Sequence, residues 1–378
     1  MSASKVYWAD LFTHSRSSRT AKLERVLERG GLGQIDLENK FVAIKMHLGE
    51  PGNLSIIRPQ YVKVLVDYIR AHGGRPFLTD CNTLYVGPRK DALGHLDAAY
   101  ENGFNPLTCG CHVIIADGLK GTDDVEVPVE GAVLCPTAKI GRAIMDADVF
   151  VTLTHFKGHD QTGFGGAIKN IGMGCGSRAG KMEQHAAGRP HVDQDACVGC
   201  MACARICAHG AISHRDERPR LATIDQDRCV GCGHCIGVCN QDAIVPNDEA
   251  ASTILNERIA EYTKAVVDGR PCFHVSLVMD VSPNCDCWDL NDPAIVPDVG
   301  IFASLDPVAL DQACVDAVNA APTVPTSTLA RLEAESPDDP CIHDHLHMSW
   351  PETDWPAMLE HAERIGVGTR AYDLVKVG

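Results

Sequence analysis

Apolar runs of strand length alternate with amphipathic stretches of helical period along most of the chain. KFVAIKMHL (40–48) reads as a continuous apolar run of strand length. RPQYVKVLVDYIRAHGG follows, with Val62, Leu65, Val66 and Ile69 on one helical face and Gly73-Gly74 as the stop. GRPFLTD then predicts a strand, RKDALGHLDAAYENG a helix and HVIIADG a strand. AKIGRAIMDADVFVTLTHF predicts a helix running into a buried strand. Further on, DEAASTILNERIAEYTKAVVDG and DPVALDQACVDAVNAA have helical period, while FHVSLVMDV and VGIFASL read as strands. Such alternation predicts an α/β fold, a mostly parallel sheet with helices on both faces.

Residues 191–246 interrupt that alternation with eight cysteines in two copies of one spacing. The first copy is Cys197-x2-Cys200-x2-Cys203-x3-Cys207 and the second Cys229-x2-Cys232-x2-Cys235-x3-Cys239. Each opens with CVGC and ends in Ala-Ile, and the copies lie 32 residues apart. Three thiolates at two-residue gaps wrap one cubane, and in two-cluster ferredoxins the fourth cysteine ligates the neighbouring cluster. The spacing therefore predicts two [4Fe–4S] clusters. Cys197, Cys200, Cys203 and Cys239 hold one, and Cys229, Cys232, Cys235 and Cys207 hold its twin. Ala208 and Asn240 stand where bacterial ferredoxins usually carry proline, a residue that shapes the turn without donating a ligand. Disulfides belong to small secreted domains, and structural zinc needs only paired C-x2-C motifs, so neither fits this doubled pattern as well. The domain organisation that follows is a discontinuous α/β core (1–190 and 247–320) carrying an inserted bacterial-type ferredoxin domain (191–246). The remainder, 321–378, is rich in Pro, Asp and His and reads as a mostly irregular tail with a short helix near 354–365.

Composition narrows the setting. The 378 residues are 45% hydrophobic and 22% charged, an ordinary globular balance. No stretch approaches the ~20 apolar residues of a membrane span, so no membrane role is expected. The opening MSASKVYWADLFTHS lacks a basic segment followed by an apolar run. Eighteen cysteines then read as thiolates kept for metal in a reducing, cytoplasmic setting. A net charge of −16 argues against nucleic acid as a partner and is compatible with docking to a basic redox partner protein.

Ligands of open α/β sheets collect beyond the carboxyl ends of the strands. There the sequence sets His47 and Glu50; Asp80, Asn82, Tyr85 and Arg89; His155, Lys157 and His159; and Cys285-Asp286-Cys287. Lys157, His159, Cys285 and Cys287 are the candidates for chemistry. Asp80, Asn82, Tyr85, Arg89, His155, Lys169 and Lys181 are the candidates for binding a small anionic substrate. The glycine-rich run Gly163–Gly180 matches neither a dinucleotide fingerprint nor a Walker A loop. It reads either as a tight loop needing positive φ or as an anion cradle formed with Lys157, Lys169, Arg178 and Lys181. Most cysteines outside the repeat are expected to be small buried hydrophobes. Cys285 and Cys287 differ, since they could share a metal with Cys175 or form a redox thiol pair. His343, His345 and His347 would present three imidazoles on one face if the chain there were extended.

The segments HFKGHDQTGFGGAIKNIGMGCGSRAGK (155–181), TDCNTLYVGPR (79–89), HLGEPGN (47–53) and NCDCW (284–288) resemble the iron–sulfur centre proteins of the domain of unknown function 362 family. The resemblance runs over roughly residues 5–320 and implies an α/β domain carrying a two-cluster ferredoxin. It implies no particular substrate. Three function classes remain: an oxidoreductase whose clusters relay electrons to the cleft, an electron carrier or iron–sulfur scaffold without its own chemistry, and a transferase or ligase with structural clusters. The large polar α/β portion speaks against a mere carrier and a linked pair of cubanes against a staple, so the oxidoreductase leads.

Overall fold

In the computed structural model the described residues are all except 1–2, 16, 85–86, 186–188, 208, 217, 230–233, 246–251, 290–291 and 378. Eight strands make the central sheet: β1 (Ser4–Ala9), β2 (Phe41–Lys45), β3 (Arg75–Asp80), β4 (Val113–Ile115), β5 (Val149–His155), β6 (Cys272–Val278), β7 (Gly300–Ser304) and β8 (Tyr372–Lys376). Their spatial order is β8-β1-β7-β6-β5-β2-β3-β4. All neighbouring pairs are parallel except those of β7, which runs antiparallel to both β1 and β6. The expected mostly parallel α/β sheet is therefore present.

Period-two burial explains why β5 sits at its centre. Val149, Val151 and Leu153 join the core on one face, whereas Phe150 joins the cluster on the other. The first face is covered by α1 (Arg19–Gly30) and α2 (Pro59–Ala71), through Leu23, Val26 and Leu27 and through Val62, Leu65 and Ile69. The second is covered by α3 (Ala167–Cys175), α4 (Ser252–Val267) and α5 (Pro307–Asn319). AKIGRAIMDAD departs from the expected helix. Thr137–Gly141 is a strand paired antiparallel with Asp124–Pro128, and only Arg142–Met145 is helical.

The tail also differs from the irregular segment its composition predicts. It forms α6 (Thr328–Glu335), the short helix His345–Ser349, α7 (Trp355–Arg364) and the edge strand β8. Its apolar residues are placed to bury: Leu329, Leu346, Met358, Leu359 and Ala362 pack with Val308, Leu310 and Val315 of α5. His345 lies in a helix with Nδ1 facing the Val318 carbonyl at 3.1 Å, so the extended histidine ladder does not form.

The cysteine-rich segment leaves the sheet after the helix Arg178–His185 and returns at α4. His191–Val192 pairs antiparallel with Ile244–Val245, and Ile212–His214 with Ala222–Ile224. The sequence repeat is also a repeat of hydrogen bonds. Asp193 N–H donates to Ala243 O (2.7 Å) and Asp225 N–H to Ala211 O (2.8 Å). Cys197 N–H donates to Asp193 O (3.1 Å) and Cys229 N–H to Asp225 O (3.0 Å).

Candidate functional site

A cleft of about 700 Å³ opens at the carboxyl ends of β2, β3, β5 and β6. Lys45 closes β2, Asp80 closes β3 and His155 closes β5. Beyond His155 the chain turns into a small hairpin, Lys157–His159 against Gly163–Gly165. The loop after β6 reaches this hairpin through the Gly158 N–H, which donates to Ser282 O at 2.8 Å. A Cβ at Gly158 would strike the Pro283 carbonyl, so the close approach that brings Cys285-Asp286-Cys287 into the cleft requires glycine there.

Buried ion pairs hold the floor. Lys45 Nζ lies 3.0 Å from Asp80 Oδ1 and donates to Asn170 Oδ1 at 2.8 Å. Burial disfavours the Asp80 carboxylate, but Lys45 and the neighbouring His95 and His47 outweigh it and hold its pKa well below the usual range. His155 Nδ1 lies 2.8 Å from Asp286 Oδ1 and its Nε2 2.9 Å from the Met279 carbonyl. Lys157 Nζ is 3.2 Å from Asp286 Oδ2 and also donates to His155 O. Burial again opposes ionisation of Asp286, and His155 and Lys157 prevail, keeping the carboxyl well below its ordinary value. Arg89 donates to Glu50 and sits 3.0 Å from His47 Nε2. Burial and then the Arg89 charge push His47 down to about 3.

Two thiols face this polar wall. The Sγ atoms of Cys285 and Cys287 and a ring nitrogen of His159 lie within 4.8 Å of one another, a group able to contact a metal ion or a reacting sulfur. The hydrogen bond with Cys287, aided by Lys169, Lys157 and His159, holds the Cys285 thiol well below its ordinary pKa despite burial. Cys287 is driven the opposite way by the same hydrogen bond and by burial. The two thiols are thus shifted in opposite directions, Cys285 toward the thiolate and Cys287 toward the thiol. Burial, and then Lys169, lower the pKa of His159.

Asp80, Arg89, His155, Lys157, His159, Lys169, Lys181, Cys285 and Cys287 all line this one cleft. Asn82 does not. Its side chain is fully buried behind the wall, donating to Asp117 Oδ1 and Gly118 O at 2.9 Å each. Tyr85 lies outside the described residues. The glycine run divides between its two readings. Lys157, Lys169 and Lys181 face the cleft, but Arg178 turns away to the carbonyls of Leu84 and Lys90. The amides opening α3, Ala167 and Ile168, are taken by the buried Asp311 carboxylate at 2.7 and 2.9 Å, so they form no anion cradle. Cys175 packs with Ile171 and Tyr262 in the apolar layer and is not part of the His159–Cys285–Cys287 group. Sequence reasoning missed Lys45. Its signal was a lysine inside an otherwise apolar buried strand, a place where lysine is found only when paired.

Within the cysteine-rich segment, Cys197, Cys200, Cys203 and Cys239 line one small cavity. Backbone N–H groups approach its sulfurs: Gly199 N lies 3.4 Å from Cys197 Sγ and Ala243 N 3.4 Å from Cys239 Sγ. Ala211 N lies 3.3 Å from Cys207 Sγ. Cys232 lies outside the described residues. Cys203 and Cys235 share an apolar cluster with Met182 and Leu84, and Leu84 also lines the cleft. Lys90 and Asp242 form an ion pair at 2.6 Å across the same junction.

A family model described as a domain of unknown function (DUF362) matches residues 42–316. The thylakoid-associated protein sll1697 of Synechocystis is 27% identical over 171 residues, which span 43% of this chain and 48% of that relative, about half its length. Among solved structures, the lactate racemase apoprotein of Thermoanaerobacterium thermosaccharolyticum aligns with a TM-score of 0.40 at 13% identity, over 73% of this chain and 51% of that one. A protein from Thermotoga maritima aligns with a TM-score of 0.35 at 11% identity, over 71% and 51%. No helix among the described residues is long and apolar enough to cross a membrane.

Proposed function

The chain belongs to the family of the domain of unknown function DUF362, and on that premise we propose that it is an iron–sulfur oxidoreductase acting on a small anionic substrate in the cleft at the strand ends. Cys197, Cys200, Cys203 and Cys239 would hold one [4Fe–4S] cluster, and Cys207, Cys229, Cys232 and Cys235 the other. What supports the first set is that four residues brought together by an interlocked spacing line one cavity, with N–H groups directed at its sulfurs. Bound there, the clusters supply one-electron transfer at potentials tuned by those N–H···S contacts. A redox partner protein would deliver the electrons, and the acidic surface suits a basic one.

One observation carries the assignment of the cleft as the place of reaction. Leu84 lines the cleft and belongs to the same apolar cluster as Cys203 and Cys235, so the cleft adjoins the cysteine-rich segment. Arg89, Lys169 and Lys181 give the cleft the positive charge that holds a carboxylate or phosphate in an otherwise acidic protein. Asp286 fixes His155 and Lys157, which keeps the wall rigid where substrate lands.

The test is anaerobic purification with iron analysis, followed by reduction of the protein and reoxidation by fractionated cell metabolites. Lys157→Ala and His159→Ala should abolish substrate-dependent reoxidation while leaving the cluster spectrum intact. Reoxidation of both variants at the parental rate overturns the role of the cleft. A parent that no metabolite reoxidises overturns the enzyme reading in favour of an electron carrier or scaffold.

A further inference from the structure

We infer that Cys285 and Cys287 are a thiol–disulfide exchange pair, in which Cys285 attacks a small anionic disulfide bound in the cleft and Cys287 resolves the product. The inference deepens the reading above and rests on it only for the return of electrons.

The surroundings of the pair are those of a nucleophile. Lys169 Nζ lies 3.9 Å from Cys285 Sγ, and His159 and Cys287 complete a group within 4.8 Å. His159 is the third member of that group. Its Nδ1 faces the backbone N–H groups of Gln161 (3.0 Å) and Thr162 (3.2 Å) and lies 3.2 Å from Asp160 Oδ1, which fixes the ring beside the two thiols. The low-pKa thiolate beside cations is the form that attacks disulfides, and its neighbour with a retained proton is the natural resolving thiol. Both thiols lie in the cleft wall beside Lys169, Lys181 and Arg89, whose charges favour an anionic substrate there, with Arg89 bonded to Glu50 and Lys181 to the Gly176 carbonyl.

The chemistry balances as follows. The Cys285 thiolate forms a bond to one sulfur of R–S–S–R′, and R′–S⁻ leaves with a proton from the Lys169 ammonium. Lys169 then takes the Cys287 proton, the new thiolate attacks Cys285 Sγ, and R–S⁻ leaves and is protonated from Lys169 or solvent. Two electrons pass from the cysteines to the substrate sulfurs, and one proton comes from Cys287 and one from solvent. Two electrons and one proton restore the thiolate–thiol pair, supplied singly by a low-potential one-electron donor, which on the proposed function is the cluster pair.

The probe is 5,5′-dithiobis(2-nitrobenzoate), a small dianionic disulfide, mixed anaerobically with the full-length reduced protein and followed by thionitrobenzoate release and peptide mass mapping. The parent should release both equivalents in one fast phase and end with a Cys285–Cys287 disulfide and no adduct. Cys287→Ser should release one equivalent and keep a mixed disulfide on Cys285. Cys285→Ser should lose the fast phase, and Lys169→Met should slow it at least about tenfold by removing the cation beside the thiolate. A fast phase unchanged in Cys285→Ser, or an adduct at a different cysteine in Cys287→Ser, overturns the pair. So does a stoichiometric zinc or iron atom that departs with Cys285→Ser. A disulfide that forms as expected but that dithionite-reduced clusters fail to reduce supports the pair and overturns the electron relay instead.

Discussion

The pair Lys45–Asp80 offers a direct test of how the floor of the cleft is held. The two side chains are 1% and 5% exposed, and Nζ and Oδ1 are 3.0 Å apart. Asp80→Asn removes the charge but little volume, leaving the Lys45 ammonium with only the Asn170 amide oxygen and the Met46 carbonyl. Stranding one member of a buried pair costs about 3–5 kcal/mol. At about 1.4 kcal/mol per tenfold, that is roughly a thousandfold in the unfolding constant. Urea unfolding of the parent, Asp80→Asn, Lys45→Met and the double variant, followed by tryptophan fluorescence, measures it. The double variant should cost less than the sum of the single ones, because it strands no charge. The sign with pH is fixed as well. A carboxyl lowered below its ordinary 3.8 contributes its full stabilisation above that value and loses it only as pH falls below it. The gap between parent and Asp80→Asn should therefore stay constant from about pH 8 to 5. An Asp80→Asn within about 0.5 kcal/mol of the parent, or strictly additive single variants, would show that the pair does not hold the floor of the cleft.

Two further outcomes are expected. Reconstituted protein should bind about eight iron atoms and Cys200→Ser about four, by iron analysis and absorbance, and an unchanged count in the variant would sink the ligand assignment. Asp311 is raised by burial from 3.8 to about 7, so the folded state binds a proton that the unfolded state lacks in that window. Its contribution to stability should therefore decline as pH rises through the window and level off above it. Asp311→Asn should lack that decline, and parallel urea midpoints of parent and variant at every pH would contradict it.

Much of this organisation was legible because it is written in local patterns. The strands around 43–47, 76–79 and 149–154 declared themselves as apolar runs, and the residues just past them do meet in one cleft. The cysteine spacing announced a repeat that the backbone hydrogen bonds reproduce. What escaped depends on partners distant in sequence. Asn82 looked like a substrate ligand, yet Asp117 claims its amide. The glycine run looked like an anion cradle, yet Asp311 occupies the amides that open α3 and Arg178 turns away from the cleft. His159 joins the thiols, and Cys175, which could have shared a metal with them, is carried into the apolar layer by helical packing. The strand Thr137–Gly141 hid in a helical pattern because Ala138 and Ile140 serve a hairpin face as well as they would a helix.

The place of β1, next to the edge strand β8, has a consequence for how the chain acquires its shape. Among the described residues β1 pairs only with β7 and β8, with Tyr7 opposite Ala303 and Ser4 opposite Tyr372, both far from it in sequence. Closing such a long loop carries its entropic cost before any contact rewards it, and pairings of this separation slow folding. Val6, fully buried at the end, lies in the cluster built by α5 and α7 and stays uncovered until those late elements have assembled, whereas Ala9 packs with α1. The opening strand is thus a segment whose buried face waits for the far end of the chain, and loss of β8 would leave it as an unpaired sheet edge.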